Sequence, residues 1–499
     1  MESAELGFLE FRCRLLDAAQ DPRVAGVLVL LEEGAPPPHR CGALARVFDR
    51  LRESGKDVAV HGSRLSLPAL ALAAHADTIS IHPRGVVDFR APRIAMPFFG
   101  EQRVSERQAD FVAAGDSAAP IVSQLGAAGP DPNLTSAVRS FHEKWSDTLY
   151  GLAAPRGSAE TLRELASGVG LLGSQLALEG GWVDFVEDAD EFLRRSSSEA
   201  EAMVMEFADY EPPEGGSSRE EGPAVAVLSV DGLLVEGGAA SALPWVGAVQ
   251  GVEPLERAID AIRADPDVRA CIVRVESPGG TVFASDRVWS AIDRLQNDIP
   301  VVALLGSQAT SGGYYAALAC EQIYATPETL TGSINAAAGR VLARDLLSDV
   351  GITPVTFGAA RGSAPSRWGD LEDYDVERLA RQASIDLEAF RERLREGRGF
   401  DAVRAQQVSD GRLLNGPEAL ALDLVDGLGG WADAWTAICD LAELRDVDTI
   451  AVRIFPHSED WWGLVIEGGL LESTRDSIDQ VRSLTRERGW FLGPVVQWN

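Results

Sequence analysis

The chain repeats itself, and the repeat limits what it can fold into. Asp21-Pro22 recurs as Asp265-Pro266, Asp49-Arg50-Leu51 as Asp293-Arg294-Leu295, Gly62-Ser63 as Gly306-Ser307 and Pro83 as Pro327, each at an offset of 244. About 63 residues therefore keep register without a gap, and a later match, Val183-Asp184 on Val425-Asp426, has an offset of 242. Register held that long points to a duplicated domain. A length of 499 residues leaves room for two or three domains.

Each copy carries the same pattern. An apolar, β-branched strand opens it (Val24 to Leu31; Val268 to Val275), of the kind that a parallel sheet buries on both faces. A helix follows (Gly42 to Glu53; Asp286 to Asn297), then a second strand (Asp57 to His61; Pro300 to Leu305). An alanine-rich helix (Ala69 to His75; Tyr315 to Cys320) and a short third strand (Thr78 to His82; Gln322 to Thr326) complete the unit. This alternation predicts βαβ units and an α/β fold in two tandem copies. Helical extensions such as Asp375 to Glu396 follow in both.

The expected division places the first copy at 1–208 and a linker at 209–222, where Tyr210 to Ser218 is rich in Pro, Gly and Ser. The second copy spans 223–445 and opens on a strand at Val225 to Val230; a Trp-rich tail covers 446–499. That tail holds Trp461-Trp462, a helical-looking Leu470 to Arg488, Trp490 and Trp498. No basic face accompanies these tryptophans, so packing on the domain or on a subunit is expected ahead of a membrane-surface patch.

Charge removes whole classes of function. The formal net charge of −31 argues against nucleic acid, whose phosphates need basic contacts, and disfavours anionic lipid. Arginine is nearly the only cation, because Lys56 and Lys144 are the two lysines. The five cysteines (Cys13, Cys41, Cys271, Cys320, Cys439) form no CxxC and no cluster with histidine, so neither a metal nor a cofactor is expected. Met1-Glu2-Ser3-Ala4-Glu5 lacks a basic n-region, and no run reaches the roughly 18 apolar residues of a membrane span. The expectation is a soluble, cytoplasmic protein with peripheral membrane contact left open.

The chemistry concentrates in the second copy. Ala309-Thr310-Ser311-Gly312-Gly313-Tyr314-Tyr315 reads as a tight turn into a buried helix. Ser311 there is either an N-cap beside packing glycines or an acyl nucleophile beside free helix amides. A second glycine element, Glu276-Ser277-Pro278-Gly279-Gly280, follows the strand ending at Val275. Ligands of open α/β sheets bind at such strand ends. Two glycine corners there could aim N–H groups of Gly279 or Gly280 and of Gly312 at one oxygen, as an oxyanion hole requires. In the first copy Leu67 and Pro68 stand at the positions of Ser311 and Gly312, and Ala35-Pro36 at those of Gly279-Gly280. That copy is read as structural, or as a wall of the site.

Ser277-Pro278-Gly279-Gly280, the Ser311 motif and Gly332-Ser333-Ile334 together resemble the protease IV or signal peptide peptidase A family. The duplicated layout is similar to its long, two-repeat members over roughly residues 20 to 445. The resemblance implies a ClpP/crotonase superfold, Ser311 as nucleophile, the glycine amides as oxyanion hole, and hydrophobic peptides as substrates. It also implies a homo-oligomer, a tetramer in the family's usual form.

Three departures accompany it. The family pairs its serine with a lysine, shortly after a Gly-Val-Val-Asp element in long members. Here Gly85-Val86-Val87-Asp88 leads to a stretch around Gly100 without lysine. The downstream position of short members carries Arg361, which cannot take a proton near neutral pH. The N-terminal membrane anchor that the resemblance implies is not expected here, and Asn335 replaces the glycine after Gly-Ser-Ile. Lys56 and Lys144 are expected in solvent, and His61 and His75 in structural roles. The function expected is a serine endopeptidase lacking its dyad lysine. The alternatives are a pseudo-peptidase that binds peptide or scaffolds an oligomer, and a crotonase-type acyl-CoA enzyme using Glu276 or Glu321.

Overall fold

A computed structural model describes residues 6–31, 38–91, 94–95, 109–113, 132–168, 170–200, 202–205, 210, 222–238, 240–243, 247–341, 373–445, 447, 450–455, 488–492 and 497–498. Two parallel sheets dominate it, as the α/β, ClpP/crotonase-like expectation requires. In the first half Gly26–Leu31, Asp57–Ser66 and Thr78–Asp88 run parallel, and Leu171–Gly173 and Phe185–Val186 both pair with the last of them. In the second half the parallel order is Ala451–Phe455, Ala224–Asp231, Val268–Ser277, Val301–Thr310. Leu330–Gly332 and Gln322–Ala325 both add to Val301–Thr310.

These strands are apolar throughout because both faces are covered. Val225, Val227, Ile272 and Val302 pack toward the helix Trp431–Leu441. Ala226, Leu228, Val273 and Ala303 belong to the opposite layer, with the helices Val252–Ala264 and Val282–Gln296. Element bounds repeat at the sequence offsets: Asp57–Ser66 against Val301–Thr310 at 244, and Ala189–Glu199 against Trp431–Leu441 at 242.

Several boundaries differ from the sequence reading, for identifiable reasons. The second strands run on to Ser66 and Thr310 instead of stopping at His61 and Leu305. In the second half Gly306-Ser307-Gln308 reads as a turn, yet the Glu276 carboxylate accepts from the backbone N–H of Ser307 and of Gln308 (2.8 and 3.0 Å) and holds the stretch extended. The following helices accordingly start early, at Leu67 and Gly312. Tyr210, placed in a solvated linker, is buried and donates its hydroxyl to Asp21 at 3.1 Å.

A third sheet draws on distant parts of the chain. Its order is Ala240–Leu243, Gly247–Gly251, Leu233–Val235, Gly279–Thr281, Arg488–Leu492, Ala337–Val341, Ala109–Ala113. The last strand comes from the first half and Arg488–Leu492 from the tail. Arg488 therefore opens a strand, where the sequence suggested the end of a helix. Gln497–Trp498 pairs with Ile94–Ala95. Trp461-Trp462 and positions 470–487 lie outside the described residues. Among the described residues no helix is long and apolar enough to cross a membrane.

Candidate active site

The strand Val301–Thr310 delivers the chain to Ser311 at its carboxyl end, and the helix Gly312–Ala317 leaves it. Between them Ser311 takes φ 52° and ψ −115°, a conformation that L-residues rarely adopt and that costs about 1–3 kcal/mol. Four contacts hold it there. The Ser311 N–H donates to the Gly332 carbonyl (2.9 Å), and the Ser311 carbonyl accepts from the Tyr315 N–H (2.8 Å). Behind it, the Tyr314 hydroxyl donates to the Leu424 carbonyl and the Tyr315 hydroxyl to Asp286, each at 2.6 Å. Ser311 is 0% exposed, and its Oγ has no hydrogen-bond partner among the described residues. A satisfied N-cap would spend that oxygen on a helix amide.

Strand register brings the three motifs to one place. Ser277 pairs with Ala309, and Thr310 with Gly332. The Thr310 hydroxyl donates to the Pro278 carbonyl at 3.1 Å, tying the glycine corner to the serine turn. A Cβ on Gly313 would stand 2.7 Å from the Ser277 carbonyl oxygen, so only glycine permits this approach. Gly280 is constrained equally by the Leu234 carbonyl oxygen, on the neighbouring strand.

The candidate amides are not equivalent. The Gly279 N–H is already donated to Ser277 Oγ at 3.1 Å, and that hydroxyl donates onward to the Gly232 carbonyl at 2.7 Å. Gly312 supplies the first amide of its helix, a position with no intrahelical acceptor. Gly279–Thr281 is also where the tail strand docks, with Gly279 opposite Leu492 and Gly280 opposite Phe491, antiparallel.

Neither lysine touches Ser311 Oγ. Lys56 Nζ donates to the carbonyls of Asp21 (2.8 Å) and Val24 (2.7 Å), and Lys144 pairs with Glu418 across the two halves. Lys144 is exposed, as expected of a solvated residue, whereas Lys56, expected in solvent too, is half-buried and tied to the backbone. Gly100 and Arg361 lie outside the described residues. His61 meets Ser80 Oγ at 2.6 Å, and His75 meets Asp49 at 3.0 Å. Asn335 is buried, and its side-chain oxygen accepts from the Ala336 N–H. Burial pushes the Cys271 thiol up to about 12, which leaves it a small hydrophobe.

Neither acid named for the acyl-CoA reading bonds to Ser311 Oγ. Glu276 is committed to Ser307, Gln308 and Arg274. Glu321 is exposed and bonds through its N–H to Val301, at the opposite end of the strand from Ser311.

One group at this end of the molecule was not anticipated from the sequence. A cavity of about 780 Å³ opens between Tyr315, Phe283, Ala338 and the helix Asp373–Arg398. Asp386 on that helix lines it and is 6% exposed. Burial pushes its carboxyl up to about 6, against the Gln382 hydrogen bond. The available signal was its position three residues beyond Ala383, on the stripe that Leu379, Ala383 and Phe390 bury in the core.

Comparison with known proteins bears on the family of the chain. The model of peptidase family S49 matches residues 293–445. A putative protease of Synechocystis is 37% identical over 194 residues, covering 36% of this chain and 67% of the relative. "Serine protease SPPA, chloroplastic" of Arabidopsis thaliana is 25% identical over 439 residues; 84% of this chain aligns, and it spans 63% of that protein's length. "Protease 4" of Salmonella typhi is 26% identical over 461 residues, 86% of this chain and 71% of the relative. Among solved structures, a mutant of the 1510-N membrane-bound stomatin-specific protease aligns over 48% of this chain and 100% of that one, at 18% identity and TM-score 0.30. With its three sequence motifs gathered at one strand end and a relative 37% identical across two thirds of that relative's length, the chain belongs to peptidase family S49, the protease IV or signal peptide peptidase A group.

Proposed function

We propose that this protein is a serine peptidase of the protease IV type, acting on extended hydrophobic peptides through Ser311. The observation that carries the reading is the strained, buried Ser311 beside the glycine corner, its hydroxyl without a hydrogen-bond partner among the described residues. In this reading Ser311 Oγ attacks the scissile carbonyl carbon, and the N–H groups of Gly312 and Gly280 receive the oxygen that becomes negative. The amine leaves with a proton, and water then hydrolyses the ester to restore Ser311. Gly279–Thr281 suits an extended peptide, since Arg488–Leu492 of this chain already pairs with it antiparallel and a bound peptide would take that strand's place. The division of labour proposed with it gives 223–445 the nucleophile and 1–208 a supporting role, within a homo-oligomer of the family's kind.

The family's lysine is the open position in this scheme. With Lys56 and Lys144 engaged elsewhere, loss of the base is expected to slow acylation by about 10²–10⁴-fold. That observation favours a second reading, in which the protein binds peptide with negligible turnover.

A fluorophosphonate probe separates the two. Labelling of the intact chain at Ser311, abolished in Ser311→Ala and retained in Lys56→Met and Lys144→Met, supports the peptidase. Folded protein that takes no label supports the binding protein. Gly100→Lys or Arg361→Lys should raise hydrolysis of a hydrophobic peptide ester; no change in either would show that the missing base belongs elsewhere.

A further inference from the structure

The cavity under the tail strand differs from an ordinary hydrophobic peptide pocket. Val282, Phe283, Leu379 and Ala338 form apolar walls. Between these walls stand four carboxylates (Glu236, Asp286, Asp386, Glu392) and two guanidiniums (Arg378, Arg393). Asp286 and Arg393 are spent on each other, at 3.1 Å, and Arg393 also pairs with Glu396 and stacks on Trp289 at 3.5 Å. Asp386 is different. Its Oδ1 accepts from Gln382 Nε2 at 2.8 Å, while its Oδ2 is buried with no hydrogen-bond partner among the described residues. A carboxylate oxygen removed from water and left unpaired is costly, and a charged donor from a ligand would offset that cost.

We infer that this cavity is a subsite for the cationic side chain of a bound peptide, with Asp386 as the residue that selects it. The inference rests on the peptidase-fold reading of the strand lane, and it names the substrate class that lane prefers. Apolar walls around a deep carboxylate match a side chain with an aliphatic stem and a charged head, that is, arginine or lysine. A metal ion fits less well, because no group of three or more His, Cys, Asp or Glu among the described residues could hold one. Position follows from register. Ala338 lines the cavity and pairs with Gly489, three residues before Leu492, which stands opposite Gly279. The cationic residue is therefore the third on the amino side of the residue beside Gly279.

The test is binding, so it does not depend on turnover. Dye-labelled Leu-Xaa-Ala-Ala-Leu, with Xaa as Arg, Met or Glu, is titrated into the full chain by fluorescence anisotropy. All three peptides meet the same competition from Arg488–Leu492. The Arg peptide should bind about tenfold tighter than the Met peptide and tighter still than the Glu peptide. Asp386→Asn should bring binding of the Arg peptide down to that of the Met peptide, and Asp386→Glu should keep much of the preference. Equal binding of Arg and Met peptides, or a preference that survives Asp386→Asn, overturns the assignment. So does absence of binding by all three up to about 1 mM. Failure of the peptidase reading looks different: Ser311 takes no probe while the Arg preference persists.

Discussion

The same junction is built twice in this chain, and the two versions diverge at three consecutive positions, Leu67-Pro68-Ala69 against Ser311-Gly312-Gly313. In the first half the strand Asp57–Ser66 passes into the helix Leu67–Ala73 through Ser66, at φ −66° and ψ 164°. Leu67 is already helical, Pro68 follows with its φ preset, and every residue of that helix is buried. In the second half the residue at the position of Leu67 is Ser311, which stays outside the helix at φ 52°. Gly313 stands where the first half has Ala69, because the Ser277 carbonyl has moved into the space of a methyl group. One junction is relaxed and filled with side chains. The other is strained, and backbone is brought close to backbone. A fold that makes both shows that the strand-to-helix turn itself needs no strain, and that turning the buried Ser311 to positive φ is what costs energy.

The largest expected effect tests that close approach. Gly313→Ala should lower probe labelling of Ser311 by at least about 100-fold, since a Cβ at 2.7 Å from a backbone oxygen must push the corner and the serine apart. The mirror change, Ala69→Gly, should cost only about 1 kcal/mol in a denaturant melt. Equal losses from the two would erase the contrast.

Strain gives the next effect, with opposite signs in the two halves. Leu67→Ala should destabilise by about 2–5 kcal/mol, because Leu67 is fully buried in the first-half core. Ser311→Gly should stabilise by about 1–3 kcal/mol by releasing the positive φ, as urea midpoints would report. A Ser311→Gly chain less stable than the parent would mean that the turn carries no strain.

The smallest effect concerns pH. Asp386 has its folded value at about 6, above the ordinary 3.8, so folding disfavours its charged form. Below pH 4 the group is neutral in both states and contributes nothing. As pH rises from about 4 through 6 the folded state loses stability, by an amount on the order of 1–3 kcal/mol. Asp386→Asn should therefore melt with the parent near pH 3.5 and above it at pH 8. A constant difference across that range would remove Asp386 from the account.

What the sequence made legible was local. Alternating apolar runs located the parallel strands, and the glycine-flanked serine located the turn, because both depend on neighbours a few residues away. What it hid was decided by distant partners. Strand extension to Thr310 depends on Glu276, burial of Tyr210 on Asp21, and the engagement of Lys144 on Glu418 in the other half. The tail offered aromatic residues without a period, so its strand could not be read until Gly279–Thr281 and Ala337–Val341 were seen on either side of it.

That interleaved strand has a consequence for how the molecule is made. Leu492 lies 213 residues after its partner Gly279 (492 − 279), and Ala109–Ala113 waits still longer for Ala337–Val341. At a ribosomal pace of about 5–20 residues per second, the glycine corner spends roughly 10–40 s without its neighbour. The parallel sheets can form as each half emerges, but the seven-stranded sheet waits for Arg488–Leu492. The newborn chain thus acquires the finished surroundings of its serine long after the serine itself has been made.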